Sequence, residues 1–254
     1  MAKYSGANVG FFLVGGRSLA AVMADVTEER ESVTEETTPI GPTGNWQAHT
    51  PVGSFKATLA QNGWYDDAAL SSNEAFVDKQ STPQVVAFAP EGNTVGKRIV
   101  QVAGAFAAKL QRLFAKDALV KCNVTYTVTG NVDDGRILHD LKQETTATGH
   151  TNATSVSEAA LTNTGGAAVL QVTQLTLGGY TSATVTVRHS SDNVTFADLV
   201  AMSAVNASTN PVPCAERKVI ASGTTINKYL SSQWAFTGTG SGMSLTFALG
   251  FARF

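Results

Sequence analysis

Charged residues are scarce in this sequence. They make up 15% of its 254 residues, and the formal net charge is −2, whereas about a quarter of a typical globular domain is charged. A balance so near neutral gives no broad electrostatic attraction to nucleic acid or to an anionic membrane. Thr, Ser, Asn, Ala and Gly must cover the surface instead, as in proteins that are packed among neighbours or exposed on a virion.

Cysteines and long apolar runs are scarce as well. The two cysteines, Cys122 and Cys214, lie in different halves of the chain without a second cysteine at metal-ligand spacing, which indicates two free thiols. No segment approaches the roughly 20 apolar residues of a membrane-spanning helix. The apolar residues 11–16 are too few for the core of a signal peptide. We therefore expect synthesis in a cytoplasm, without export and without membrane insertion.

Patterns of catalytic or metal-binding residues are also missing. The four histidines, His49, His139, His150 and His189, lie in four separate segments. Residues 139–140 are His-Asp, but adjacent residues on a strand face opposite sides and do not build a catalytic triad. We therefore predict that the protein is not an enzyme, that it has no catalytic, cofactor-binding or metal-binding residues, and that its histidines are surface or turn residues.

The segment GNTVGKR, residues 92–98, looks like a phosphate-binding loop but departs from it. Such a loop has four residues between its glycine and its Gly-Lys pair, and Ser or Thr follows the lysine. Here three residues separate Gly92 from Gly96, and Arg98 follows Lys97. The preceding Pro-Glu-Gly-Asn cluster is a turn signal, so we predict a β-turn between two strands.

The pair Asp66 and Asp67 stands before an alanine-rich segment. An acid in that place can cap a helix and face the positive end of its dipole, so we expect a short helix that ends near Phe76. The alternative is a metal-binding or acid/base pair. The sequence offers no third metal ligand and no histidine near this pair of acids.

The composition changes just after Glu144. Residues 145–254 carry only 4 of the 20 acids and 5 of the 18 bases. Residues 145–166 are small, polar and without periodicity, as in a linker or an extended crossover. We therefore predict two domains, residues 1–149 and residues 150–254.

In the first domain we predict strands around one long loop. Residues 11–14 and 19–23 are short apolar strands on either side of a Gly-Gly turn, and residues 54–64 alternate as a half-buried strand does. Residues 26–53 are acidic and Thr-rich, and then rich in Pro and Gly. Such a loop is either solvated or an arm that becomes ordered against a neighbouring subunit.

Residues 99–114 fit two patterns. Their apolar side chains share one face of a helix and also fall on alternate positions of a strand. The following residues 119–128 alternate clearly and indicate a strand. The Asp-Asp-Gly sequence at residues 133–135 has the composition of a hairpin turn before a returning strand at residues 137–141. The pattern leaves helix and strand open for residues 99–114.

Short strands at regular spacing make up the second domain. They include residues 167–179, a hairpin that turns at residues 190–193, residues 228–236 and the closing residues 243–254. This spacing of strands and turn signals is typical of a β-sandwich or a jelly roll.

Two segments of the first domain resemble a known family. NGWYDDAALSSNEAF and VVAFAPEGNTVGKRIVQVAGAF, followed by a long hairpin, resemble the major tail tube proteins of long-tailed, siphovirus-like bacteriophages. The resemblance covers residues 10–142. It implies a mainly β fold, with a tail-tube-type β-sandwich or barrel and one short helix, and a long hairpin over residues 97–130 that turns near residues 116–118. Residues 150–254 resemble the small β-sandwich modules, jelly-roll or Ig-like, of phage structural proteins.

The resemblance also implies a function. Subunits of this family form hexameric rings that stack into a hollow tube through which the genome passes. Edge strands, a hazard in a monomer, become joints when a neighbour pairs with them. We expect residues 1–149 to build the ring and tube, with residues 26–53 as the contact between rings, and residues 150–254 to decorate the outside.

The implied partners follow from the same resemblance. They are neighbouring copies, a tape measure protein, and tail terminator and baseplate proteins, with DNA passing transiently through the lumen without specific binding. The implied location is the phage tail of the virion, after synthesis in the host cytoplasm. No cofactor is implied.

The alternative is a carbohydrate- or receptor-binding β-sandwich module of a virion or cell surface. Sugar sites stack rings on exposed Trp or Tyr, and Trp234 and Tyr180 are the candidates in the second domain. Trp234 lies in an alternating strand with Leu230, which favours a place in the core.

Overall fold

A computed structural model describes residues 9–36, 49–69, 71–77, 82–158 and 162–254, with the backbone alone for residues 33–36 and 49–55. The protein is mainly β, as expected, and these residues include one short α-helix, α1, at Ser72–Phe76. The first eight strands are β1 Phe12–Val14, β2 Arg17–Ser18, β3 Met23–Glu36, β4 His49–Trp64, β5 Gln84–Phe88, β6 Arg98–Leu113, β7 Lys121–Val128 and β8 Val132–Glu144. The other eight are β9 Thr148–His150, β10 Val156–Ser157, β11 Gly166–Thr176, β12 Ser182–Ser190, β13 Ala197–Ala201, β14 Cys214–Ile220, β15 Tyr229–Thr237 and β16 Ser244–Arg253.

The strands form two antiparallel sheets. The main sheet runs in the order β14-β11-β16-β8-β6-β5-β1-β2, and a branch leads from β6 through β7 and β4 to β3. The second sheet runs in the order β10-β15-β12-β13, with β9 also paired to β15. All of the pairings are antiparallel, so neighbouring strands need no crossover helix.

One hydrophobic core lies between the two sheets. The alternation of β16 predicts this, because Leu245, Phe247, Leu249 and Phe251 point to one face and all four are buried. They pack against the inward residues of β12 and β15, which makes this half a β-sandwich. The largest members of this core are Trp234, Phe236, Phe247, Leu249 and Phe251.

The main sheet also curls on itself. The side-chain amide of Gln171 in β11 donates to the carbonyl of Val85 at 3.0 Å and accepts from the amide of Gly16 at 2.7 Å. Gln171 therefore holds β11 against the β1–β2 turn and against β5, at the far end of the sheet order. Residues of β1, β5, β6, β8, β11 and β16 fill the space enclosed by this curl.

A third core lies under the branch. The helix α1 packs on one face of β4, β6 and β7, where Phe76 meets the ring of Tyr126 edge-on at 6.3 Å. The side chains of Ala57, Leu59 and Val124 are buried on the same face. The predicted pattern of residues 54–64 is thus confirmed as one half-buried strand with its apolar side on this core.

The branch begins where β6 changes partners. Residues 98–102 of β6 pair with β8, and residues 105–113 pair with β7. The change occurs at Gly104, whose φ of 67° is unfavourable for other residues. A Cβ on Gly130, in the β7–β8 connection, would lie 2.4 Å from the carbonyl oxygen of Ala103. We call this close backbone contact, Ala103–Gly104 against Gly130, the fork.

Several sequence expectations are confirmed. The segment 99–114, left open between helix and strand, is strand up to Leu113, as part of β6, and β6 and β7 form the long hairpin with its turn at residues 116–118. The Gly-Gly turn joins β1 to β2, and the second domain has its hairpin turn after Ser190. The helix that follows Asp66 and Asp67 ends at Phe76.

Other expectations are wrong in position. Most of the long loop at residues 26–53 is strand, because β3 continues to Glu36 and β4 starts at His49; residues 37–48 lie outside the described part. Residues 19–22 are turn instead of strand. The Asp-Asp-Gly sequence at residues 133–135 is inside β8, because Asp133 pairs with Arg217 at 2.8 Å, and Gly135 lets the carbonyl of Phe251 approach.

The main sheet contains strands from both sides of the predicted domain boundary at residue 149. β8, before residue 149, pairs along its length with β16 at the end of the chain. The expected linker at residues 145–166 includes β9 and β10, two short strands of the second sheet. Independent folding of residues 1–149 and 150–254 stays a prediction, and a chain cut at residue 149 would expose the edge of β8.

His139 is a titratable group inside the sandwich core. It was expected at the surface, but its ring is fully buried and stacks on Phe247 at 3.8 Å. The ring of Trp234 meets it edge-on at 5.3 Å, and Nε2 lies 3.1 Å from a carboxylate oxygen of Glu144. Burial lowers the pKa of His139, against the opposing effect of Glu144.

We predict that Gly130→Ala destabilises the protein by about 3 kcal/mol, because the new methyl group meets a backbone oxygen that cannot rotate away. The control is Gly96→Ala, where the added Cβ has no neighbour within 4 Å and the left-handed φ alone costs about 1 kcal/mol. Urea unfolding measures both. Equal losses would contradict the description of the fork as a steric constraint.

We predict that the free energy of unfolding decreases as the pH falls below about 6.5. The folded protein resists protonating His139, whereas the unfolded chain takes up the proton, with a slope of at most about 1.4 kcal/mol per pH unit for one site. His139→Gln should flatten this slope. His189 contributes in the same direction, because burial lowers its pKa as well. The control is His150→Gln at an exposed residue. An unchanged slope in His139→Gln would refute the assignment.

Candidate assembly interface

The described residues bring no reactive groups together. No group of three or more His, Cys, Asp or Glu among them could hold a metal ion. His189 accepts a hydrogen bond from the amide of Asn227 at its Nδ1, and His150 lies at the exposed end of β9. The side chain of His49 lies outside the described part. No helix in the described ranges has the length and apolar character needed to span a membrane.

The two acids before the helix and the two thiols have structural environments. Asp66 accepts hydrogen bonds from the amide of Ala68 at 3.0 Å and the hydroxyl of Ser71 at 2.7 Å, and these bonds lower its pKa. It therefore shapes the turn before α1, and Ser71 is the residue at the helix N-cap. Burial raises the pKa of Cys122, and raises that of Cys214 to about 11, so neither thiol is activated.

The GNTVGKR segment is the predicted turn between β5 and β6. Gly92 and Gly96 have φ values of 107° and 86°, which a turn requires. The side chain of Asn93 clamps the turn to β8: it accepts from the amide of Leu141 at 2.6 Å and donates to the carbonyl of the same residue at 2.9 Å. The segment holds the sheet together and is followed by a strand instead of a helix.

The two aromatic candidates for sugar stacking are not free platforms. Trp234 is 5% exposed and packs against His139 and Phe247. Tyr180 is half-buried, with its ring edge-on to Phe236 at 5.4 Å. Both rings thus pack against other aromatic side chains of the core. Neither of the two residues that the carbohydrate-binding alternative requires is an open stacking surface for a sugar.

The feature that is open to a partner is the branch of the main sheet. We call it the ribbon: residues 23–32 of β3, 56–64 of β4, 121–128 of β7 and 105–113 of β6, hydrogen-bonded in that order. In the part of the chain that the structure describes, no strand pairs with the outer edge of β3 or with the outer edge of β6 beyond residue 105. The ribbon therefore has two free edges, each of which can accept another strand.

The two edges differ in charge. β3 carries six acids and one base, Arg30, and Asp25, Glu29 and Glu31 are exposed. The outer part of β6, residues 105–113, carries two bases, Lys109 and Arg112, and no acid. Lys109 is exposed. One edge is thus acidic and the other basic, which suits contact between two copies in a head-to-tail arrangement.

The ribbon also has one open face. The registers place uncharged side chains together on the face away from α1. They are half-buried Thr, Ala and Asn residues: Thr58, Ala60, Asn62, Asn123, Thr125 and Thr127. The centre of this face is thus polar and uncharged, whereas the exposed side chains of Asp25 and Glu29 on β3 and Lys109 on β6 lie at its two margins, opposite these residues in the registers.

One end of the ribbon is apolar. Leu113 is 42% exposed, and Phe114 and Leu119 on the β6–β7 turn are about three-quarters exposed, at 75% and 74%. Trp64 lies beside them through the register of β4 with β7 and is 39% exposed. A cluster of exposed large apolar side chains marks a contact surface. We call residues 113–119 the tip.

Two weak signals for these features are present in the sequence. A Leu-Phe pair two residues before a Lys-Asp turn indicates exposed apolar residues, and the acids of residues 25–36 indicate an unpartnered edge. The ribbon itself could not be found in this way, because residues 26–53 were interpreted as a loop.

Comparisons with known proteins give similarities of structure alone. No protein-family model and no curated protein sequence matches the chain. A component of the virion of a native gene transfer agent particle has 12% identity and a TM-score of 0.40, over 52% of this chain and 98% of that one. A component of the tail of an empty gene transfer agent particle with C6 symmetry has the same identity and TM-score, over 51% and 97%. The Dit protein of SPP1, from the hub adsorption apparatus of phages that infect Gram-positive bacteria, has 10% identity and a TM-score of 0.35, over 96% and 98%. The chain is thus similar, at low identity, to components of phage-type tails.

Proposed function

We propose that this protein is a structural subunit of a phage tail that self-assembles into rings, and that the rings stack into the tube through which DNA passes. The observation that carries the proposal is the ribbon, a four-stranded sheet with two free edges of opposite charge. Pairing of the acidic β3 edge with the basic β6 edge of the next copy continues the sheet from subunit to subunit. A head-to-tail contact of this kind closes into a ring when the rotation per subunit divides the circle.

The width of the ribbon fits a ring of six. Strands are about 4.8 Å apart, so six ribbons of four strands give a circumference of roughly 115 Å and a diameter of roughly 37 Å. Tilt of the strands in a closed barrel makes the diameter larger. Side chains on the inner face reduce the open channel, and space remains for a DNA duplex. The number six rests on the resemblance to tail tube proteins, and the geometry is compatible with it.

The open face suits the wall of a channel for DNA. The hydroxyl, amide and methyl groups at its centre, at Thr58, Asn62, Ala60 and the facing residues of β7, do not neutralise phosphates, and the β3 acids at its margin repel them. A basic wall would bind DNA and release counterions, which would hold the genome in place. In this arrangement α1 and the sandwich lie on the outer side of the ribbon, and the sandwich decorates the tube.

The proposed subunit also has implied partners and a location in the virion. A tube of this kind meets a tape measure protein inside and terminator and baseplate proteins at its ends. The subunit is made in the host cytoplasm and functions in the virion. Neither catalysis nor a cofactor is part of this role.

We predict that Glu29→Lys/Glu31→Lys inhibits ring formation. Each lost ion pair is worth about 0.2–1 kcal/mol, and the like charges at the two edges then repel each other. Because the contact repeats around the ring, rings should form only at a several-fold higher protein concentration. Adding Lys109→Glu to the same chain should restore assembly in part, because the edges again have opposite charge. Sedimentation velocity and negative-stain electron microscopy measure ring content.

The control is Asp198→Lys, which makes the same kind of charge change at an exposed residue of the second sheet. It should assemble as the unmodified protein does. Rings of the unmodified protein that persist unchanged in Glu29→Lys/Glu31→Lys would contradict edge-to-edge pairing. Absence of rings and tubes from the unmodified protein at high concentration, with wild-type tail extract added to initiate assembly, would contradict the proposed function.

A further inference from the structure

A pocket lies at the fork, where β7 ends and β8 begins. It has a volume of about 460 Å³. Its lining residues come from the strands β3, β4, β7 and β8 and from the β7–β8 connection: Arg30, Ala57, Val128, Gly130, Asn131 and Val132. The pocket exists because the fork separates β7 from β8 and leaves space between the two strands. We call it the fork pocket.

The floor of the fork pocket is apolar and its rim is charged. Ala57 is 9% exposed, and Val128 and Val132 are half-buried. At the rim, the guanidinium of Arg30 donates to both carboxylate oxygens of Asp134, at 2.7 and 3.2 Å. Arg30 also contacts Glu28. A pocket with this lining accepts an apolar side chain that is flanked by charged groups.

The tip has the complementary arrangement. Phe114 and Leu119 are the most exposed large apolar residues of the β6–β7 hairpin, and Lys116 and Asp117 lie between them in the chain. Asp117 has a left-handed φ of 64° in this turn, and Phe114 and Leu119 precede and follow the turn in the chain. The tip thus offers two apolar side chains with one base and one acid, and the fork pocket offers an apolar floor with one base, Arg30, and two acids, Glu28 and Asp134, at its rim.

The tip and the fork pocket lie at opposite ends of the same strands. Ala57 at the pocket pairs with Val128, and Trp64 beside the tip pairs with Lys121. Seven residues of strand separate the two ends, which is about 23 Å. If the tip of one copy binds the fork pocket of the next copy, the contact is heterologous and repeats along the strand direction.

We propose that the tip of one copy inserts Phe114 and Leu119 into the fork pocket of a second copy in the adjacent ring. Lys116 then faces Asp134, and Asp117 faces Arg30. This inference rests on the proposed function, since it supplies the axial contact between rings whose lateral contacts are the two ribbon edges. The second copy is the occupant because the apolar and charged groups of the two surfaces match in kind and because their placement generates a linear stack.

The first test is Phe114→Asp/Leu119→Asp. Both residues are exposed, so the variant should fold. We expect rings to form as before, whereas the concentration at which rings stack into tubes should rise at least tenfold, because two apolar side chains no longer bury their surface. The matched control is Val194→Asp/Val219→Asp, at exposed apolar residues of the second sheet's turn and of β14. It should stack normally.

The second test is cross-linking with a short bismaleimide. A variant with Lys116→Cys and Asn131→Cys carries one thiol at the tip and one at the rim of the fork pocket. The native thiols are poor competitors, because burial raises the pKa of Cys122 and Cys214. We expect a ladder of dimers, trimers and longer chains on denaturing gels, whereas either single variant gives no ladder.

Three results would overturn the inference. One is tubes of Phe114→Asp/Leu119→Asp that form at the same concentration as those of the unmodified protein. Another is the absence of a cross-linked ladder from assembled tubes. The third is loss of rings together with tubes in Phe114→Asp/Leu119→Asp, which would assign the tip to the lateral contact. The first two leave the proposed function intact, because that function is tested by the charge changes on the ribbon edges.

Discussion

The contact between two backbone segments at the fork sets the form of this molecule. A Cβ on Gly130 would lie 2.4 Å from the carbonyl oxygen of Ala103, and Gly104 adopts a left-handed φ. Three hydrogen bonds fix the same place: Ala103 donates to Asn131 at 2.9 Å, and the amide and hydroxyl of Thr129 both donate to Gly104 at 3.0 Å. At this point β6 leaves β8 and takes β7 as its partner. Beyond this point the branch leaves the curled sheet, and in the described ranges the outer edges of β3 and β6 have no partner strand.

The ribbon is held against a rigid body that both halves of the sequence build. β8 pairs with β16, Gln171 joins β11 to β1 and β5, and the buried carboxylate of Asp133 pairs with Arg217 from β14. Removing one partner of a buried pair of this kind is costly, because the other charge stays buried. The sandwich and the ribbon are therefore mechanically linked, although the composition of the sequence changes near residue 150.

Local alternation was enough to predict many strands. Residues 119–128 and 243–254 have one apolar side each, and the structure buries that side. The turn at residues 116–118 was also predictable, through the resemblance to tail tube proteins. The helix-like pattern of residues 99–114 arises because many of their residues are small or apolar, and pairing with three other strands decides in favour of β6.

Features that depend on distant partners could not be predicted. β3 has the composition of a solvated loop, and its strand form depends on pairing with β4. The Asp-Asp-Gly sequence at residues 133–135 stays extended because Arg30 and Arg217, from distant segments, bind its acids. His139 is an ordinary polar residue in the sequence, and only the packing of β15 and β16 shows that it is buried. The candidate interface has the same origin, because its edges and the fork pocket are defined by strands far apart in the chain.

The most direct test of the account is a cryo-electron microscopy reconstruction of the assembled particle at a resolution that separates strands. The account predicts one continuous inner sheet, in which β3 of each subunit is hydrogen-bonded to residues 106–113 of its neighbour. A particle in which either edge of the ribbon faces solvent, or in which the subunits meet through the second sheet instead, would contradict it.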